Sequence, residues 1–165
     1  MTRLEALYQA VTTALAILAG AILSLITVAI SVDVVLRECC TSAIFGLGDL
    51  TEHGIAAATF LGAPWVLTKN AHVAVDIVTS QLPYRVRGAM ATAVNVVGAA
   101  VSAAFFWYLL QALSIAVGRG SMVRGIIVVP EWLTFTAPIV ATALLAIGFL
   151  LRIGKDAQTR QAAGL

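Results

Sequence analysis

Four long stretches without any Asp, Glu, Lys or Arg occupy most of this 165-residue chain. Their lengths are 27, 16, 31 and 20 residues, and a helix needs about 20 residues to cross the hydrocarbon core of a bilayer. A chain of this size cannot hide four such apolar helices on all sides within a water-soluble core. The sequence therefore predicts a membrane protein. The stretches are residues 6–32, 53–68, 88–118 and 132–151.

Composition supports this prediction. Hydrophobic residues make up 61% of the chain and charged residues 11%, against roughly 45–50% and 25% in soluble domains. The net charge of +2 is too small to indicate a nucleic-acid partner. The first stretch exceeds the apolar core of a signal peptide, about 7–15 residues, and we interpret it as a retained first span. Cys39 and Cys40 are adjacent, and we expect two free thiols.

We predict an all-α membrane protein in which residues 1–165 form one domain with four transmembrane helices. A short amphipathic interfacial helix is predicted between spans two and three, at about residues 71–86, because Val75, Val78 and Leu82 share a helical face. Span three would be roughly 46 Å long, so it must tilt, protrude or begin at the surface. The predicted spans cover about residues 8–36, 49–68, 88–117 and 132–152.

The distribution of basic residues predicts the orientation. With the N-terminus inside, the inner segments hold seven of the ten Lys and Arg, and the outer connections hold three. Cytoplasmic segments of membrane proteins carry the excess of basic residues. Both termini are therefore predicted to be cytoplasmic. The three basic residues on the outer side are Arg37, Arg119 and Arg124.

Glu52, in the first turn of span two, leaves two interpretations open. A carboxylate within the membrane would bind an ion, a proton or a partner arginine. Alternatively, it lies at the interface, where the positive end of the helix dipole favours a negative charge. An ion pair between Glu52 and Arg37 is compatible with both interpretations.

The histidines raise three further hypotheses. His72 and Asp76 are four residues apart and would share a helical face, as a proton relay, half of a metal site or a local structural pair. The absence of a third His or Cys ligand nearby argues against a metal. His53 and His72 together suggest haem ligation, but their different depths in the membrane argue against it. We favour the structural pair.

Small residues at helical spacing indicate close packing. Gly54, Ala58 and Gly62 recur every four residues in span two, and such stripes let helix backbones approach each other in lipid. Phosphate loops, nucleophile elbows and metal-binding helix motifs are missing from the sequence. These observations predict a packing subunit without enzymatic activity. Shorter matches of the same kind are Gly20 with Ser24 and Gly98 with Ser102.

A set of residues in a fixed order resembles a known family, the small membrane subunit (DctQ-like) of tripartite ATP-independent periplasmic transporters. The resemblance extends over nearly the whole chain. It departs from the family at the Cys39-Cys40 pair and in the Ala-rich centre of span two. The matching residues are Val-Leu-Arg37, Glu52, Phe-Leu-Gly62-Ala, the segment from Lys69 through His72 to Asp76, Leu82-Pro83, Arg85, Val129-Pro130-Glu131-Trp132 and Pro138.

The resemblance implies a scaffold subunit of a sodium-coupled importer of organic acids in a bacterial inner membrane. Its implied partners are a large membrane permease subunit, which carries the substrate and sodium sites, a periplasmic substrate-binding protein and membrane lipids. No cofactor is expected on this chain. Two alternatives remain open: a self-sufficient four-span transporter that uses Glu52, and a membrane redox subunit with haem. The predicted packing or structural residues are Arg37, Glu52, Gly54, Ala58, Gly62, His72, Asp76, Pro130 and Trp132.

Overall fold

Four helices and one small β-ladder make up the part of the chain described by the computed structural model, residues 3–40, 42–69 and 84–162. The strands β1 (Met122–Val123) and β2 (Val129–Pro130) pair antiparallel between the third and fourth helices. The helical class was predicted, whereas the ladder was not. The helices are α1 (Arg3–Cys40), α2 (Leu47–Thr68), α3 (Tyr84–Arg119) and α4 (Glu131–Ala162).

The helices extend beyond the charge-free stretches that predicted them. α1 has 38 residues and is therefore about 57 Å long, well beyond a hydrocarbon core of about 30 Å. Its continuation past Val32 agrees with the sequence. α3 begins at Tyr84, so residues 84–86 of the predicted interfacial segment belong to this helix. The rest of that segment, with His72 and Asp76, lies outside the described residues.

Three helices in the described part of the chain are long and apolar enough to cross a membrane. They are α1 and the segments Met90–Arg119 of α3 and Glu131–Ile153 of α4. α2 has 22 residues but carries Asp49, Glu52 and His53 in its first turns, and it does not belong to this group. The fold thus supports a multi-pass protein with three candidate spans.

The helices lie side by side in the order α1, α2, α4, α3. α1 packs along α2, α2 along α4, and α4 along α3, while α1 touches α4 only marginally. The two central helices, α2 and α4, therefore have a neighbour on each side. α1 and α3 form the two edges of the row.

The buried positions of both edge helices repeat every seven residues. This period is typical of left-handed helix packing, in which one narrow stripe faces the neighbour. Most other described side chains of the two edge helices are exposed or only partly covered, and Leu25 and Ile17 are 71% and 70% exposed. This period was not predicted from the sequence. The buried positions are Thr12, Ala19, Ile26 and Asp33 in α1, and Asn95, Ser102, Leu109 and Ala116 in α3.

Candidate functional site

Two connections meet at one end of the helix row, which we call the loop end. Residues 42–46 join α1 to α2, and residues 120–130, including the β-ladder, join α3 to α4. They touch at Gly46, where a Cβ atom would come within 2.6 Å of the Ile127 side chain. Gly46 also has a left-handed backbone with φ of 73°, which favours glycine. The two connections thus form one surface at the start of α2.

Asp49 holds the longer connection against α2. Its Oδ2 atom accepts a hydrogen bond of 2.8 Å from the backbone N–H of Ile127. Gly125 also approaches the Asp49 carboxylate so closely that any side chain at position 125 would overlap it. Asp49 therefore serves as an anchor for residues 125–127.

Asp33 does the same for the shorter connection. It is 5% exposed, and its Oδ1 atom accepts a hydrogen bond of 2.6 Å from the backbone N–H of Ile44. Its other carboxylate oxygen forms an ion pair of 2.7 Å with Arg37, one helical turn further on. Arg37 is thus paired with Asp33 and not with Glu52.

The other predicted residues of the loop end lie around these two anchors. Glu52 is exposed on α2, one turn beyond Asp49. The Nδ1 atom of His53 is 2.8 Å from the carbonyl oxygen of Asp49 and shares a hydrogen bond with it. Pro130 pairs with Met122 in the β-ladder, and Trp132, in the first turn of α4, is 43% exposed. The structure therefore brings Glu52, Pro130 and Trp132 to the same end of the molecule.

A cavity of about 410 Å³ lies beneath the longer connection, between α2 and α4. Its polar side chains include those of Asp49 and His53, and apolar groups form most of its wall, among them Phe60, Leu133 and Pro138. Asp49 already binds the Ile127 amide and His53 already bonds within α2. The cavity is therefore mainly an apolar space between two helices.

The small-residue stripe of α2 faces α1. A Cβ atom at Gly54 would lie 2.5 Å from Cδ1 of Ile26, and one at Gly62 would lie 4.0 Å from Cβ of Ala19. Ala58, between the two glycines, is only 2% exposed. The chain's own first helix therefore packs on this stripe.

The opposite end of the row is joined by side-chain bonds to backbone carbonyls. The hydroxyl of Tyr8 donates to the carbonyl of Leu144 over 3.1 Å, and the Arg152 guanidinium donates to the carbonyl of Leu67. Gly148 lies against Tyr8 and Leu67 with no room for a side chain. These contacts connect α1, α2 and α4. The sequence predicts for Arg152 only a place among the seven basic residues of the inner segments.

Metal-ligating side chains do not gather in the part of the chain that the structure describes. No three His, Cys, Asp or Glu residues come together there as metal ligands would. His72 and Asp76 lie outside this part, so their pairing stays a prediction.

The signal for Asp33 was available in the sequence, because it stands four residues before Arg37 and is the first charged residue after a 27-residue apolar stretch.

A row of long apolar helices, largely uncovered by the rest of the chain, defines the class of this protein as a multi-pass helical membrane protein. The family is more specific. The chain belongs to the tripartite ATP-independent periplasmic transporters, DctQ component, which matches residues 26–159. The match runs from the middle of α1 into α4, and the resemblance noted from the sequence is confirmed. The chain matches no curated protein.

Proposed function

We propose that this chain is the small scaffold subunit of a sodium-coupled transporter that imports an organic acid across a bacterial inner membrane. Its partners are then a large membrane permease subunit and a periplasmic substrate-binding protein. The family membership supports a place in such a tripartite system. The observation that carries the scaffold role is the open row of helices, in which the described side chains of each edge helix bury one narrow stripe.

The proposed topology has four spans, with both termini in the cytoplasm and the loop end in the periplasm. α2 is the additional span, since its 22 residues extend about 33 Å, enough for the hydrocarbon core. It lies between α1 and α4, so neighbouring helices shield it from lipid on two sides. Its polar residues Asp49, Glu52 and His53 stand together at the loop end, where the interface begins.

The acidic anchors support scaffolding over ion coupling. Asp33 and Asp49 both bind backbone amides of connections, and Asp33 also pairs with Arg37. Carboxylates that couple transport to ions face a pathway inside the membrane. We therefore assign the substrate and sodium sites to the large subunit, and no cofactor to this chain.

Co-purification followed by reconstitution tests the proposal. The chain, with an affinity tag, is expressed together with a large permease subunit of a tripartite transporter from the same genome, and the purified complex is placed in liposomes. We expect sodium-driven uptake of an organic acid only when the chain, the permease and the binding protein are all present. Glu52→Gln should leave this uptake intact.

Two results would contradict the proposal. Ion-driven transport by the chain alone that Glu52→Gln abolishes would indicate a self-sufficient transporter. A haem absorbance spectrum in the purified chain, lost in His53→Ala, would indicate a redox subunit.

A further inference from the structure

The loop end exposes a continuous apolar surface outside the helices. Phe45 is 81% exposed, Ile126 58% and Val128 61%. The two connections touch here, because the Cβ position of Gly46 lies 3.9 Å from Cγ2 of Ile126. Apolar patches of this kind on soluble surfaces are uncommon and mark a contact with another phase or molecule.

Hydrogen bonds within the chain hold the two connections that carry this surface. Asp49 binds the amide of Ile127, and Asp33 binds the amide of Ile44. Both anchors hold backbone atoms, so the neighbouring apolar side chains project outward while the connections stay fixed. The chain's own contacts therefore hold the two connections in place.

The patch is continuous with the lipid-facing surface of the helices and has basic neighbours. Exposed apolar side chains continue from it onto α2 at Leu50 and onto α4 at Leu133. Arg119 and Arg124 flank the patch with exposed side chains, and no carboxylate in the described ranges pairs with either. Apolar residues bordered by Arg and Trp are typical of segments at the membrane–water interface.

We infer that the loop end inserts Phe45, Ile126 and Val128 into the lipid leaflet on its own side, with Arg119 and Arg124 binding lipid phosphates. This goes beyond the proposed function and does not depend on it. The insertion is about 5–10 Å deep, at the boundary between headgroups and acyl chains. The two connections thereby attach the loop end to the membrane, in addition to the attachment that the helices provide.

Site-specific fluorescence in lipid nanodiscs tests this inference. Cys39 and Cys40 are replaced by Ser, and an environment-sensitive fluorophore is attached to Ile126→Cys or Val128→Cys in the full-length chain. The nanodiscs hold phosphatidylethanolamine and phosphatidylglycerol, with or without nitroxide on the upper acyl chain. Leu25→Cys, on the exposed face of α1, serves as the lipid control, and Glu38→Cys serves as the water control.

If the loop end inserts into lipid, the labels at positions 126 and 128 should emit at shorter wavelength than the Glu38 label. The acyl-chain nitroxide should quench them nearly as strongly as it quenches the Leu25 label. Aqueous iodide should quench both loop labels less than the Glu38 label. Emission and iodide quenching equal to those of the Glu38 label would overturn the inference. A blue shift that arises only after the large subunit is bound would also overturn it, and would show a protein partner instead of lipid.

Discussion

The carboxylate of Asp49 and the backbone N–H of Ile127 are 78 residues apart in the sequence and 2.8 Å apart in space. This bond connects the start of α2 to the longer connection between α3 and α4. It is thus one of the few polar links across a fold that is otherwise held by helix packing.

Asp49→Ala should free the longer connection, residues 120–130, from its attachment to α2. A hydrogen bond to a charged group is worth about 1.5–3 kcal/mol when buried, and we expect about 1 kcal/mol for this partly exposed one. The amide of Ile127 should then exchange with deuterium roughly five times faster, as measured by mass spectrometry. Glu52→Ala removes a carboxylate one turn away and should leave the exchange unchanged. Equal rates in the two variants would contradict the anchoring role.

Asp33→Ala should destabilise the chain more than Arg37→Ala. The first variant leaves the Ile44 amide without its partner, which costs about 1–3 kcal/mol. The second removes an arginine whose side chain is 62% exposed and leaves the buried Asp33 carboxylate still bonded to the Ile44 amide, so we expect a smaller loss. Thermal unfolding in detergent, followed by circular dichroism, compares the two. An equal loss of Tm would show that the ion pair matters more than the backbone contact.

Gly98→Ala should disturb the packing of α3 on α4. A Cβ atom at this position would lie 2.6–2.9 Å from three ring atoms of Phe149, and such overpacking costs about 1–3 kcal/mol. Gly118→Ala, on the same helix but with open space around it, should be neutral or slightly stabilising. Thermal unfolding again measures the difference. Phe149→Leu should partly restore the stability of Gly98→Ala, and no restoration would argue against this contact.

Gly54→Leu should separate α1 from α2 within the isolated chain. The Ile26 side chain fills the space beside Gly54, whereas a Cβ atom at Gly20 would meet no atom of a neighbouring element within 4 Å. Gly54→Leu is therefore expected to lower the Tm of the purified chain, and Gly20→Leu is not. A normal Tm combined with loss of binding to the large subunit would show that the stripe serves the partner instead.

Cys39 and Cys40 should report the orientation of the chain. Both thiols are exposed at the end of α1, which the proposed topology places in the periplasm. A membrane-impermeant maleimide added to cells with a permeable outer membrane should label them without lysis. The variant with both cysteines changed to Ser controls for background labelling. Labelling only after lysis would reverse the topology.

The sequence was sufficient to predict the helices, because the backbone N–H and C=O groups of an apolar stretch find no water in lipid. They must therefore form hydrogen bonds within the helix. The sequence underestimated the length of the helices, as for α1, since charged residues such as Arg3 and Glu38 continue a helix outside the lipid. It also indicated the close packing around Gly54 and Gly98. Which helix meets each glycine depends on the order of the row, and that order follows from the sum of many contacts.

The anchors of the loop end were harder to predict. Asp33 and Asp49 are visible as isolated charges, but their partners are backbone amides, which every residue except proline carries. No residue type at position 44 or 127 signals the contact. The β-ladder was missed for a related reason, since two residues per strand are too few for an alternating pattern.

Anchoring through backbone amides separates the shape of the connections from their side chains. The bonds of Asp33 and Asp49 need only the backbone N–H at positions 44 and 127, whatever side chain these positions carry. Related chains could therefore carry quite different surfaces at this end on an unchanged backbone. Proline is the one residue that cannot make either bond, because it has no N–H to donate.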